Sequence, residues 1–164
     1  RNNPGGMLDH VVKIADMGLP VGGVAYVEDR EGNRREERSD AEYWDIPMVV
    51  LVNEMSASAS ELFSAAVQDY DRASVVGTTT FGKGIVQTLI TFADDGAGMQ
   101  YTTESYFSPN GRSIHKTGVE PDVIVELEGS YDSSVRTPDP EYDNQLAAAL
   151  EELEKRIEKT AAKQ

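Results

Sequence analysis

One junction constrains this chain more than any other. The apolar run Met48–Val52 stops at Asn53, and after a patch of small residues the chain resumes as the helical pattern SELFSAAVQDY. Five consecutive apolar residues, three of them valine, suit a buried strand, and Glu61, Leu62 and Phe63 carry a helix onward. The leading N–H groups of such a helix lack partners within it and carry partial positive charge. Ser56, Ser58 and Ser60 fall at that turn, and the alanines between them leave room for a substrate carbonyl. Two readings follow. Ser56 can be an N-cap, with Ser60 and Glu61 completing a capping pattern. Alternatively the cluster holds a nucleophile, which needs a base to remove its proton and donors for the oxyanion that forms.

A base is available in Phe81–Gly82–Lys83–Gly84. The run after it, Ile85–Phe92, reads as a strand by its β-branched content. Glycines on both sides let the backbone bring Lys83 close to another element. A lysine accepts a proton only in its uncharged form, so the chemistry asks for burial or a neighbouring cation. Gln87, four residues on, shares a face with Lys83 in a regular strand, and its amide can hold the amine without favouring the ammonium as a carboxylate would. A surface lysine in a glycine loop is the plainer alternative. A rival motif overlaps the same residues: Gly77 to Lys83 satisfies seven positions of the phosphate-binding G-x-x-x-x-G-K-[ST], but Gly84 has no hydroxyl for magnesium and a strand follows where a helix is required.

Four stretches in order, RNNPGG at Arg1–Gly6, VVLVNEMSASASE at Val49–Glu61, FGKGIVQT at Phe81–Thr88 and YFSPNGRSIHKTGVEPDV at Tyr106–Val123, resemble the carboxy-terminal processing peptidases, the tail-specific serine proteases of family S41. The resemblance runs from Arg1 to about Val125. It implies Ser58 as nucleophile, Lys83 as base, Gln87 as the residue that orients the lysine and Glu61 as a support. It also implies an oxyanion hole made by the N–H of Ala59 and that of Gly5, with Gly6 as the alternative. Asn-Pro-Gly-Gly is strong turn chemistry by itself, and a turn that leads into the first helix is compatible with either role.

The implied fold is α/β, a twisted mixed sheet with packed helices like the crotonase and Clp protease spiral core. The implied activity is that of a serine endopeptidase, with a Ser/Lys dyad, cutting protein or peptide substrates near their C-termini and using no metal or cofactor. Relatives of this kind often carry a PDZ domain upstream and work outside the bacterial cytoplasm, in the periplasm, envelope or medium. Arg1 falls inside a family strand-and-turn segment, so residues 1–128 are expected to be a peptidase core truncated on its N-terminal side. The opposing function is a non-catalytic peptide-binding or assembly module that retains the fold.

Composition narrows the classes. The chain has 164 residues, 39% hydrophobic content and a net charge of −14, enough for one domain with a real core and the wrong sign for nucleic acid. It has no cysteine, hence no disulfide, thiol nucleophile or thiolate metal site. No apolar run approaches the length of a membrane span.

The remaining elements are expected as follows. Met7–Met17 forms an amphipathic helix, on which His10 is structural. Val24–Tyr26 opens a strand that turns at Asp29–Asn33 into a charged return, Arg34–Arg38. Tyr43, Trp44 and Ile46 approach the strand at Met48–Val52, and the aromatic pair reads as a core anchor ahead of a binding platform. Ala73–Val76 is a short buried strand, Ile85–Phe92 and Met99–Tyr106 flank a hairpin turn, and Val123–Leu127 is a last strand. His115 could in principle complete a conventional triad with Ser58, but ranks below the lysine. Gly129–Pro140 reads as a linker. Residues 141–164 form a charged helix, with Leu146, Leu150, Leu153 and Ile157 docking on the domain or on a second subunit of a homo-oligomer.

Overall fold

The computed structural model describes residues 1–40, 42–93, 95–129 and 139–162. Most of the expected linker, the Asp94 position in the hairpin turn and the last two residues of the C-terminal segment lie outside the described residues.

Two sheets share one central helix. The first is antiparallel, with β1 (Gly22–Asp29), β2 (Arg34–Ser39), β5 (Ile85–Thr91) and β6 (Gly98–Phe107) in the order β2-β1-β6-β5. The second is parallel, with β3 (Met48–Val52), β4 (Ala73–Gly77) and β7 (Val123–Ile124) in the order β3-β4-β7. Met48 pairs with Ala73 and Val52 with Gly77. The connection between these parallel strands is α2 (Ala59–Asp69), as a parallel pair requires a crossover rather than a tight turn.

Helix α2 is buried nearly all round, and its small residues allow that. Leu62, Ala65 and Ala59 pack with Val27, Tyr106, Ile114 and Val119, while Ala66 and Val67 pack with Leu19, Val24 and Ala15. The second group includes residues of β1 and of α1 (Leu8–Asp16), which lies beside α2. A helix enclosed on two sides cannot shift without opening both clusters, so its N-terminus is a rigid place for a site.

Three expectations need correction. Trp44 is 61% exposed and Ile46 is also exposed, with Tyr43 only half-buried. Their backbone, more than their rings, is what the fold uses: Trp44 N–H donates to Met17 O at 2.8 Å, Trp44 O accepts from Arg72 at 3.0 Å, and the same guanidinium stacks 5.4 Å from the Tyr43 ring. The last strand is two residues long instead of five. Beyond Ile124 the backbone is bonded by side chains of the C-terminal helix, Gln145 to Val125 O (2.7 Å) and Asn144 to Glu126 O (2.8 Å) and from Glu128 N–H (3.0 Å).

That helix, α3 (Asn144–Ala161), docks on the β3–β4 sheet with Leu146 and Leu153 half-buried, so only part of the expected stripe is covered. Gln145 and Ala149 are buried and Arg156 reaches Ser74 Oγ (2.8 Å) and Asp71 (2.7 Å), while Leu150 and Ile157 are 42% and 49% exposed. Polar anchors to backbone and loop outweigh the leucine stripe. Among the described residues no helix is long and apolar enough to cross a membrane.

Asp143 caps α3 and clasps the chain's first residue. Its carboxylate accepts from Leu146 N–H at 3.0 Å and from the Arg1 guanidinium at 2.9 and 2.5 Å. The Arg1 hydrogen bond holds the Asp143 carboxyl below its ordinary range, against the opposing effect of burial. A depressed folded value means that stability from this group is present above the ordinary Asp value, about 3.9, and is lost as pH falls through the folded one. Asp143→Ala should therefore lower stability by about 1–2 kcal/mol at neutral pH, read as a shifted urea midpoint. The gap from the parent chain should shrink once the pH drops below that Asp value.

Candidate active site

Ser58 sits where β3 has ended and α2 has not quite begun, and its backbone is bent to φ 59°, ψ −121°. A serine at positive φ costs about 1–3 kcal/mol and persists only where the surroundings impose it. Sharp strand-to-helix turns of this type thrust a nucleophile out beyond both elements. Ala59 is the first helical residue, so its N–H has no acceptor within the helix. The N-cap is thus Ser58 and not Ser56. Ser56 closes the preceding turn instead, its Oγ accepting from Asn53 N–H at 3.1 Å. Ser60 shares its hydroxyl between Ala57 O and Asn3 O, both at 2.8 Å.

The opening turn is stitched to this loop by its asparagines. Asn2 and Asn53 exchange hydrogen bonds at 2.8 Å, and Asn3 O accepts from Ala57 N–H at 2.9 Å. These bonds press Gly5 against Ser58. A Cβ on Gly5, at φ +96°, would stand 2.5 Å from Ala57 O, 2.7 Å from Ala59 N and 2.8 Å from Ser58 Cβ, so only glycine fits. The Gly5 N–H already donates to Asn3 Oδ1 at 2.9 Å. Gly6 has open space around its Cα and lines the cleft in front of Ser58.

Glu61 joins the two halves of the site. Its side chain is 0% exposed. Oε2 accepts from Ser58 N–H (2.7 Å) and Lys83 N–H (2.8 Å), and Oε1 from Gly82 N–H (2.6 Å) and the Thr80 hydroxyl (2.6 Å). Every partner is a donor, which suits a carboxylate and satisfies it without a cation. Thr80 in turn accepts from Val119 N–H at 2.7 Å. The lysine loop is fixed from its other side by Gly84, where a Cβ would meet His115 N at 2.6 Å. The glycines around Lys83 therefore serve close approach, as expected. No helix follows Lys83, since β5 begins at Ile85, so the phosphate-loop geometry is absent here.

Lys83 and Ser58 face one cleft of about 590 Å³. Leu8, Leu62 and Ile85 give it an apolar wall, and Arg35 with Glu104 a charged rim. Among the described residues the Lys83 amine has no hydrogen-bond or ion-pair partner. Gln87 also borders the cleft, but its Oε1 accepts from Gln100 Nε2 at 3.1 Å. The register of β5 on β6 shifts between Val86 and Gln87, and the strand starts only two residues after the lysine, so simple alternation does not carry Gln87 to Lys83.

His115 is not among the residues around this cleft, and His10 lies on the second cavity, of about 300 Å³, behind the opening turn. Sequence reasoning missed Tyr106, which is 3% exposed and touches both key residues. Its hydroxyl donates to Lys83 O and contacts Ser58. Burial pushes the phenol above its usual range, the Ser58 contact pulls the other way, and the nearby Glu61 carboxylate pushes it further up. A tyrosine in a strand pattern looks like core, and nothing in its spacing marks its hydroxyl.

A strained serine at the head of a helix and a lysine amine that has no hydrogen-bond or ion-pair partner among the described residues thus border one cleft of an α/β core. The chain belongs to peptidase family S41, whose model matches residues 1–125. It is 41% identical over 154 residues to a carboxyl-terminal-processing protease of Synechocystis sp., covering 93% of this chain, and 42% identical over 130 residues to a carboxy-terminal-processing protease of Bartonella bacilliformis, covering 77%. The chain spans only 35% and 30% of those two relatives' lengths. Among solved structures it resembles a photosystem II D1 C-terminal processing protease, with a TM-score of 0.70 and 37% identity over 87% of this chain and 36% of that one.

Glu61→Gln keeps the shape but turns one acceptor atom into a donor facing donors. We expect a lower melting temperature and at least about a tenfold loss of Ser58 reactivity toward a fluorophosphonate, as hydrogen bonds to a charged group contribute about 1.5–3 kcal/mol each. Unchanged reactivity in a folded Glu61→Gln chain would show that the carboxylate does not align the pair.

Proposed function

We propose that this chain is the catalytic core of a serine endopeptidase that cuts protein substrates near their C-termini, with Ser58 as nucleophile and Lys83 as base. The observation that carries this reading is the single Glu61 carboxylate bonded to the backbones of both Ser58 and Lys83. A buried acid that aligns a strained serine with a lysine lacking a counter-ion among the described residues makes little sense in a surface loop.

The chemistry balances without a metal or cofactor. The uncharged Lys83 amine takes the Ser58 proton as Oγ bonds to the scissile carbonyl carbon, and the carbonyl oxygen takes up negative charge. The donors for it are the N–H of Ala59 and that of Gly6. Gly6 is preferred over Gly5 because the Gly5 N–H is already engaged by Asn3. The Lys83 ammonium then protonates the leaving amine as the C–N bond breaks. Water, deprotonated by Lys83, releases the acyl group and restores Ser58. Gln87 orients the lysine only after leaving Gln100, and the apolar wall of the cleft receives an apolar side chain of the substrate.

The names of the relatives support the C-terminal preference. An upstream PDZ domain, a location outside the bacterial cytoplasm and a homo-oligomeric state belong to the same reading of the whole protein.

The test is labelling of Ser58 by a fluorophosphonate, mapped by mass, together with cleavage of an unfolded protein. Lys83→Ala should reduce both about 100-fold or more, the usual range for losing a general base. A Lys83→Ala chain that keeps full activity would sink the scheme. Gly5→Ala should leave α2 and both sheets intact by circular dichroism yet reduce labelling about 100-fold, since its methyl would crowd the Ala59 donor.

A further inference from the structure

The Arg1–Asp143 ion pair is buried on both sides, with side chains 7% and 10% exposed. The other ion pairs between described residues each leave one partner well exposed, 39% at the least. Its geometry is a full fork: Nη1 and Nη2 of Arg1 donate to the two Asp143 oxygens, Nη1 also donates to Gln145 Oε1 at 2.9 Å, and Gln145 is itself tied to Val125 O. Taking two charges out of water is expensive and their attraction recovers it only with good geometry, so such a pair is weak support for a fold as a whole. What it supplies is a fixed position.

That position is passed along a stiff arm. Arg1 N donates to Leu51 O at 2.9 Å. Asn2, at φ 56°, is bonded to Asn53 through both its backbone N–H and its side chain. Asn3 O accepts from Ala57 N–H and from the Ser60 hydroxyl, and the ring of Pro4 locks its φ. Little freedom is left between the guanidinium and Gly5, which lies against Ser58, or Gly6, which borders the cleft.

We infer that Arg1 and Asp143 are positioning residues for the peptidase reaction: their clasp on the last helix sets where the glycine turn stands against Ser58, and with it where the Gly6 N–H meets the oxyanion. This rests on the Ser/Lys reading and the oxyanion donors given above. Neither residue borders the cleft, so the effect falls on the transition state and not on substrate binding, because the carbonyl oxygen takes on its charge only as the new bond forms. A misplacement of about 1 Å that originates far from the chemistry is enough to cost about 100-fold in rate.

Two substitutions separate this role from simple support of α3. Asp143→Asn keeps the helix cap, since an asparagine oxygen accepts from Leu146 N–H as a carboxylate does, but it sets an NH2 against the Arg1 guanidinium. Arg156→Gln loosens the other end of the helix by removing the bonds to Ser74 and Asp71, and leaves the clasp intact. Cleavage of an unfolded protein is followed at a temperature where circular dichroism shows every variant folded. Asp143→Asn and Arg1→Gln should each lower kcat about tenfold or more, with KM within about twofold of the parent. The double variant should lose no more than either single one, because the two side chains act as a unit. Arg156→Gln should keep the parent kcat although its melting temperature also falls. A parent-like kcat in both Asp143→Asn and Arg1→Gln, or an equal loss in Arg156→Gln, would overturn the inference and leave the pair as an anchor for α3 alone. Fluorophosphonate labelling distinguishes the two levels: a parent labelled at Ser58 with parent-like clasp variants removes this inference only, whereas a parent that is not labelled removes the Ser/Lys reading beneath it.

Discussion

The site depends on one buried carboxylate. Removing Glu61 from water is costly, by several kcal/mol for an isolated ion, and the fold offsets that with four short donors drawn from two segments of chain. The placement does what a surface ion pair could not. It secures the N–H of a serine held at positive φ, it locks two successive N–H groups of the lysine loop, and through Thr80 it extends to Val119. An acid at the third position of a helix also interacts favourably with the helix dipole. The strained backbone of Ser58 is therefore not an isolated oddity but one end of a hydrogen-bonded frame.

That frame explains why helix α2 carries alanine and serine at so many of its buried positions. Two core clusters meet on it, and large side chains would push the sheets apart. Small ones bring Tyr106 on one side and the Asn3 turn on the other within reach of a single serine. The cleft then needs no dedicated walls. It is what remains between the edge of α1, the start of β5 and the face of β6.

Much of this was legible in the residues. The β3-turn-α2 junction, the β1–β2 hairpin at Asp29–Asn33 and the strand after Lys83 all stand where period and turn chemistry put them. Glu61 was visible too, but as part of a cap on Ser56; the real capping partner is two residues later, because the strained turn consumes two extra residues before the helix starts. Two failures share a cause. The exposed Trp44 and the outward Leu150 and Ile157 were judged by side-chain hydrophobicity, whereas what decides them is a hydrogen bond: Arg72 to the Trp44 carbonyl, Arg156 and Gln145 on the docking face. Such bonds join residues distant in sequence and leave no periodic trace. Gln87 is a different case, since the register shift after Val86 means that its face is not readable from alternation.

The clasp between Arg1 and Asp143 links the first residue of the chain to the head of its last helix, while Arg1 N also bonds Leu51 O at the edge strand. The glycine turn that crowds Ser58 thus hangs from a support more than a hundred and forty residues away in sequence. Loosening α3 from its sheet would slacken that turn, and through Asn3 the movement would reach Ala57 and Ser60 on either side of Ser58. The serine side of the cleft is thus tied to the far end of the chain, while the lysine side hangs on Glu61 and the core.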